Sequence, residues 1–131
     1  MFIDASALCA ILLAEDDAFE LSRRLARYAQ RSTSAMAVWE TALALSRARK
    51  QEPMEAFQAV ESFLAAQDIT VVPVPPEAAA LAVEAYARFG KGRHKAGVNF
   101  GDCFAYACAR HFGVPLLYKG DDFALTDIEA A

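Results

Sequence analysis

The sequence predicts one α/β domain in which helices cover both faces of a short parallel sheet. Strand-like segments alternate with segments of helical period along the chain, which is the order found in parallel sheets. A length of 131 residues suits one compact domain and is too short for two ordinary ones. A hydrophobic content of 56% supplies a core, which argues against a disordered chain.

The first segments set up the alternation. Residues 1–3 predict a short apolar strand that ends at Asp4. Ser6 is expected to cap the helix that follows, because apolar residues recur after it at helical spacing. A second helix is expected to open at Asp16, and residues 32–34 favour another short strand.

The middle of the chain carries the clearest element boundaries. Ser34 is a good N-cap for a helix over about 35–49. Pro53 fits the first turn of a helix that ends near Gln67. The β-branched residues of 69–74, bounded by prolines, predict a strand.

The last third predicts two more helices. One covers 77–89, and a basic loop follows it at 90–97. The other covers 101–112 and ends at Gly113, since glycine adopts the left-handed conformation that commonly closes a helix.

A further strand is expected at 114–118, with a last short one near Ile128. In parallel sheets the ligand site lies beyond the carboxyl ends of the strands. Asp4 ends the first strand, and Asp121 and Asp122 follow the last clear one. We therefore expect these distant acids to meet at one edge of the sheet.

Composition narrows the function. The net charge of −4 argues against a protein that binds nucleic acid by its overall charge, unless clustered acids are neutralised by cations. The apolar stretch 5–14 is too short to span a bilayer and lacks a basic segment before it. We expect a cytoplasmic protein with no membrane partner.

The three cysteines, Cys9, Cys103 and Cys108, are odd in number and show no C-x-x-C spacing. They are typical of buried thiols in a reducing compartment.

Three carboxylates lie in apolar surroundings: Asp4, Glu40 and Asp102 have no Lys or Arg within four residues along the chain. Burying an unpaired carboxylate costs roughly several kcal/mol, and several carboxylates in one place also repel one another. A divalent cation relieves both costs, and oxygen ligands favour Mg²⁺, with Mn²⁺ as a substitute. Whether one or two ions bind is left open.

Simpler roles exist for each acid. Asp4 and Asp102 are each placed to cap a helix, and Asp121 and Asp122 suit a turn. Glu40 lies in mid-helix, where its alternative is an exposed or Arg-paired side chain.

Four motifs in chain order resemble the PIN domains, and within them the VapC-like toxins of bacterial toxin–antitoxin pairs. Residues 3–7 (IDASA) are similar to the first acidic motif, and Glu40 stands where the second acid is expected. Residues 101–107 (GDCFAYA) are similar to the third, and 116–123 (LLYKGDDF), followed by Thr126-Asp127-Ile128, to the fourth.

The resemblance implies a three-layer α/β/α fold, Mg²⁺- or Mn²⁺-dependent endoribonuclease activity, and a homodimer inhibited by a VapB-like antitoxin. It gives the catalytic and metal-binding roles to Asp4, Glu40, Asp102 and Asp122. The doublet keeps Asp121 as an alternative for the fourth position. Ser6, Asp121 and Asp127 are further candidates for supporting the site.

The basic loop supplies candidate RNA contacts in Lys91, Arg93 and Lys95, with a solvated loop as the alternative. A lone histidine in such a loop, His94, is expected to be incidental. Trp39 and Tyr106 are expected in the core, with stacking on a base as the alternative.

Two other functions compete with the nuclease. One is a non-catalytic PIN-like module that binds RNA or protein. The other is a phosphotransfer domain with Asp4 as nucleophile, which is disfavoured because Ser6 stands where a D-x-D pair needs its second acid.

Overall fold

Four strands and six helices alternate along the chain in the computed structural model, which describes residues 1–131. The strands are β1 (Phe2–Ile3), β2 (Arg31–Ser34), β3 (Ile69–Val72) and β4 (Leu116–Leu117). The helices are α1 (Ala5–Leu12), α2 (Ala18–Leu25), α3 (Ala35–Arg49), α4 (Pro53–Ala66), α5 (Ala78–Phe89) and α6 (Phe100–Phe112).

The four strands form one parallel sheet in the order β3-β2-β1-β4. Phe2 stands opposite Ser32 on one side and Leu116 on the other. The first strand of the chain is therefore central, although it has only two residues. A buried side chain adds to the ladder: the Thr33 hydroxyl donates to the carbonyl of Ile3 at 2.8 Å.

Separate apolar cores cover the two faces of the sheet. Because neighbouring strand residues point to opposite faces, Ile3 and Leu117 join one core, and Phe2 and Leu116 join the other. Helices α1 to α4 pack on the first face, and α5 and α6 on the second. The predicted three-layer α/β/α architecture is confirmed.

Local capping explains where the site-bearing helices begin and end. The Ser34 side chain accepts a hydrogen bond from the Ala37 N–H at 3.2 Å, as expected, and α3 has the predicted bounds. Gly113 adopts the left-handed conformation, with φ of 63°, and ends α6. None of the helices combines the length and apolar character needed to cross a bilayer.

Some sequence-based expectations were wrong. The N-cap of α1 is not Ser6 but Asp4, the alternative considered for that acid, because the chain turns into the helix directly after β1. The strand expected near Ile128 does not form: a short 3₁₀ helix, Phe123–Leu125, precedes an isolated bridge between Leu116 and Ala130.

Candidate active site

A pocket of about 300 Å³ lies at the carboxyl end of β1, where three of the predicted acids come together. Its polar lining comes from three separate parts of the chain: Asp4, Ser6, Glu40, Arg47, Asn99 and Asp102. Asp4, Glu40 and Asp102, from the first three motifs, thus lie around one pocket, whereas Asp121 and Asp122, which were expected to meet Asp4 at this edge, do not line it.

Asp4 is held by the start of α1. It is only 5% exposed, and it accepts hydrogen bonds from the Ser6 N–H at 2.9 Å and the Ser6 hydroxyl at 2.5 Å. Both bonds go to Oδ2, so Oδ1 has no side-chain donor. The Ser6 oxygen in turn accepts from the Lys119 N–H at 3.0 Å, which ties the loop after β4 to the same carboxylate.

Glu40 extends from the middle of α3 toward the beginning of α6. A Cβ atom added to Gly101 would stand 2.7 Å from Glu40 Oε2 and 2.8 Å from its Cδ. Real Cβ atoms essentially never come within 3.0 Å of another heavy atom in this way. The carboxylate therefore occupies space that exists only because residue 101 is glycine.

Asp102 is fixed by a capping box at the start of α6. The Asn99 side chain accepts from the Asp102 N–H at 3.1 Å, and Asp102 Oδ2 accepts from the Asn99 N–H at 2.7 Å. Asp102 thus takes part in capping, although Asn99 and not Asp102 is the N-cap, and its part uses one oxygen and leaves Oδ1 without a hydrogen bond. Capping and a role in the pocket are compatible.

Burial and mutual repulsion make these acids hard to ionise. Burial raises the pKa of Glu40 to about 7, with further contributions from the charges of Asp4 and Asp102. Burial likewise raises the pKa of Asp102 to about 6, with the charges of Asp4 and Asp122 adding to the effect. The pKa of Asp4 is also raised by burial, against its hydrogen bonds from Ser6.

No cation pairs with these acids. The five ion pairs of the chain include neither Asp4, Glu40 nor Asp102. Arg47 lines the pocket but forms no ion pair or hydrogen bond, although it lies two turns after Glu40 on the same side of α3. The pocket is a cluster of uncompensated acids.

The donors are carboxylate and hydroxyl oxygens, which suit a hard divalent cation. No three His, Cys, Asp or Glu side chains are arranged to hold one ion by themselves. Mg²⁺ does not require this, because it usually keeps several waters and takes only one or two protein carboxylates. The residues present fit such an ion in chemistry, with the remaining positions left to water.

The aspartate doublet lies on an exposed turn outside the pocket lining. The negative charge of Asp122 contributes to raising the pKa of Asp102, and Asp121 has no such effect. Of the two, Asp122 is the one whose field reaches the pocket.

Asp127 lies elsewhere. It accepts hydrogen bonds from Tyr106 Oη and Arg88 Nη2, both at 2.7 Å, and so links the end of the chain to α5 and α6. The structure does not bring this residue to the acids.

The basic loop also stands apart from the pocket lining. Lys91, Arg93 and Lys95 are exposed, and Arg93 donates to the carbonyl of Ala87 at 3.3 Å. His94 accepts from the Ala96 N–H at 3.1 Å and packs its ring edge-on against Phe89. These contacts fix the shape of the loop.

The expectation of core packing was right for Tyr106, which is 4% exposed, and wrong for Trp39, which is 63% exposed. Sequence reasoning also missed Arg47 and Asn99. The available signal was spacing: Arg47 follows Glu40 by seven residues, and Asn99 precedes Asp102 by three, the interval of a capping box.

The protein also has two apolar surface regions. A groove of about 680 Å³ runs between α3 and α4 to the edge strand β3, and Trp39 and Leu43 line both this groove and the acid pocket. A second patch, of about 450 Å³, covers neighbouring sides of α5 and α6 and has no charged lining residue.

Comparisons with known proteins agree with this fold. A family model described as the PIN domain matches residues 1–129. A protein of Mycolicibacterium smegmatis named Ribonuclease VapC is 43% identical over 130 residues, covering 99% of this chain and 98% of the relative. Ribonuclease VapC30 of Mycobacterium tuberculosis (strain H37Rv) is 41% identical over 128 residues, covering 98% and 95%.

A solved structure shares the fold. The crystal structure of Mycobacterium tuberculosis VapC20, described as a Sarcin-Ricin loop cleaving toxin, matches with a TM-score of 0.74. The match covers 99% of this chain and 97% of that one, at 21% sequence identity.

Proposed function

The chain belongs to the PIN domain family, among relatives named VapC ribonucleases, and from this membership we propose that it is a metal-dependent endoribonuclease and the toxin of a toxin–antitoxin pair. The observation that carries the proposal is the pocket in which Asp4, Glu40 and Asp102 converge without a cationic partner. Such a cluster is costly unless it binds a cation, and a bound cation beside a phosphodiester favours hydrolysis.

The hydrogen bonds of each acid indicate its role in the proposed reaction. Asp4 and Asp102 are anchored through one oxygen each, so their other oxygens are the best placed to hold Mg²⁺ or Mn²⁺. When bound, the ion supplies positive charge that offsets these acids and the attacked phosphate and assists ionisation of the attacking water. Glu40, whose pKa is raised by burial to about 7, is suited to accept a proton from that water.

Asp122 contributes a further negative charge from the rim, since its field reaches Asp102. Ser6 orients Asp4 and transmits the position of the loop after β4 to it. In these roles Asp122 and Ser6 support the binding of the ion and do not contact the RNA.

The direct test is charge removal without change of shape. Asp4→Asn, Glu40→Gln and Asp102→Asn should each lower RNA cleavage by about 100-fold or more and weaken Mn²⁺ binding in calorimetric titration. Glu55→Gln, an exposed acid of α4, is the matched control and should behave as the wild type. Full cleavage by the Asp102→Asn protein would end the proposal. A folded chain that binds RNA, but does not bind Mn²⁺ and does not cleave the RNA, would be the non-catalytic module instead.

The apolar groove is the proposed site of a VapB-like antitoxin. It opens at Trp39 and Leu43 into a pocket of unpaired acids, so it fits a segment with apolar residues next to a basic one. A guanidinium at that end would neutralise the acids in place of the metal. Met54→Asp, which adds charge at a residue already 64% exposed, should preserve cleavage and abolish relief of toxicity by the antitoxin.

A second copy of the chain is the proposed occupant of the patch on α5 and α6. Its lining is entirely uncharged and includes Val83 and Phe100, which are 71% and 70% exposed. Docking two copies through the groove instead would bring two acid pockets together, and like charges would oppose it. Val83→Glu should convert a dimer to a monomer in sedimentation experiments, and an unchanged mass would refute this interface.

A further inference from the structure

Trp39 is the most conspicuous unpaired side chain beside the pocket. Its side chain lines the pocket directly before Glu40 in the chain, yet it is 63% exposed and stacks on no aromatic ring or guanidinium. Large aromatic side chains gain most from burial, so an indole left in water at the mouth of a site is available to a ligand.

Arg47 is the second free group at the same mouth. It is exposed and is the sole basic residue that lines the acid pocket. Neighbouring cations are already engaged: Arg49 donates to the carbonyl of Leu12 at 2.5 Å, and Lys119 pairs with Glu15 and Asp17. The guanidinium of Arg47 has no partner of its own.

The two groups together suit RNA as a ligand. An indole provides a stacking platform for any base, and a guanidinium binds phosphate oxygens with two parallel hydrogen bonds. Both come from α3, so one rigid element fixes their separation from each other and from Glu40. The basic loop lacks this relationship, since Lys91, Arg93 and Lys95 stand outside the pocket lining.

We propose that Trp39 and Arg47 bind the RNA beside the acid pocket: the indole stacks on a base next to the cleaved phosphodiester, and the guanidinium binds a neighbouring phosphate. This inference rests on the proposed ribonuclease function. RNA is favoured over a protein ligand for this pair because an indole stacks on a base and a guanidinium binds a phosphate, and RNA carries both groups.

The sequence offers a direct probe, because Trp39 is the chain's single tryptophan. The Asp102→Asn protein with Mg²⁺ would be titrated with a single-stranded oligoadenylate and with an abasic ribose-phosphate oligomer of equal length. Oligoadenylate should quench the tryptophan fluorescence and the abasic oligomer should not. Equal quenching by both, or by neither, would overturn the stacking role.

Affinity separates the two residues. Adding Trp39→Ala should weaken oligoadenylate binding by about 5- to 100-fold, and Trp39→Phe should retain most of it. Arg47→Ala should weaken binding of both oligomers and reduce the salt dependence by about 0.7 in log–log slope. Arg27→Ala, an exposed cation outside the pocket lining, is the matched control. Unchanged RNA affinity in the Trp39 or Arg47 variant would remove the corresponding residue from the proposal. If Trp39→Ala weakened antitoxin binding and left RNA binding unchanged, Trp39 would belong to the protein partner's site.

A cleavage assay distinguishes this inference from the function beneath it. In the otherwise wild-type chain, Trp39→Ala and Arg47→Ala should raise KM with kcat changed by less than about threefold, because they remove binding and not chemistry. A cleaving enzyme with unaltered KM in both variants would refute the inference and leave the ribonuclease intact. A wild-type chain that never cleaves RNA would refute the function, while the fluorescence titration would still report the contact.

Discussion

The carboxylate of Glu40 lies against the backbone of Gly101, so close that a methyl group at residue 101 would stand 2.7 Å from Oε2. One residue comes from the middle of α3 and the other from the first turn of α6. The contact joins the acid of one helix to the start of the helix that carries Asp102. The absence of a side chain at residue 101 is thus part of the pocket's geometry.

We predict that Gly101→Ala damages the site more than the fold. Alanine favours a helix over glycine by about 1 kcal/mol, and the group that must move is the end of a flexible side chain. Cleavage should fall by roughly 10- to 100-fold and Mn²⁺ affinity should fall with it, while the melting temperature is retained. Partial rescue by the shorter side chain in Gly101→Ala/Glu40→Asp would identify displacement of the carboxylate as the cause. Wild-type kcat/KM in the single variant would contradict this account.

The metal-free protein should become more stable as pH falls from 8 to 5. Burial raises the pKa of Glu40 to about 7 and that of Asp102 to about 6, so the folded state binds protons more tightly than the unfolded state in this window. Stability therefore decreases as pH rises through the folded pKa values. Calorimetry in EDTA should show the trend, with an amplitude of about 1 kcal/mol after allowance for solvent screening.

The matched variant for this pH effect is Glu40→Gln, which should be more stable than the wild type at pH 8 and show a flatter profile. The pKa of Asp127 is lowered by its partners Tyr106 and Arg88 despite some burial. The stability that this residue contributes to the fold is therefore lost only in more acidic solutions. Wild-type stability that rises with pH between 5 and 8 would contradict the prediction.

Ser6→Ala should impair the site through Asp4. The variant removes the 2.5 Å hydrogen bond to Asp4 Oδ2 and the acceptor for the Lys119 N–H. We expect cleavage and Mn²⁺ affinity to fall by about 10-fold or more, with a loss of roughly 1 kcal/mol in stability. Ser62→Ala is the matched control, because its hydroxyl bonds only to Gln58 within α4. Equal activities of the two variants would argue against a positioning role for Ser6.

Asn99→Ala should loosen Asp102 by opening the capping box. Loss of an N-cap costs about 1 kcal/mol, and the end of α6 that carries Asp102 should fray. Asn99→Ser restores a capping oxygen and should recover both stability and cleavage. Asn99→Asp also restores the cap but adds a negative charge to the acid pocket, so it should recover stability and alter metal affinity. Recovery of stability by serine without recovery of cleavage would show that the amide itself takes part.

The fold and the central acids were predictable because both follow from local rules. Strand ends of a parallel sheet meet at one edge, which brings Asp4 toward the later acids. Ser34 and the uninterrupted helical segment after it gave the bounds of α3, and hence the position of Glu40.

What sequence reasoning missed depends on packing between elements. The helical period places Trp39 on one side of α3, but it does not show whether another element covers that side. The contact between Glu40 and Gly101 joins two helices far apart in the chain, and no local pattern encodes it. The N-cap of α1 is Asp4 and not Ser6, because the helix begins two residues earlier than expected.

The central place of β1 has a consequence for synthesis on the ribosome. The Asp4 N–H donates to the carbonyl of Leu117 at 2.9 Å, so the first acid is fixed by a strand that is synthesised long after it. A nascent chain that has not yet released Leu117 lacks one of the two neighbours of β1. The acid pocket at the end of β1 is therefore incomplete until Leu117 has left the ribosome and β4 can pair with β1.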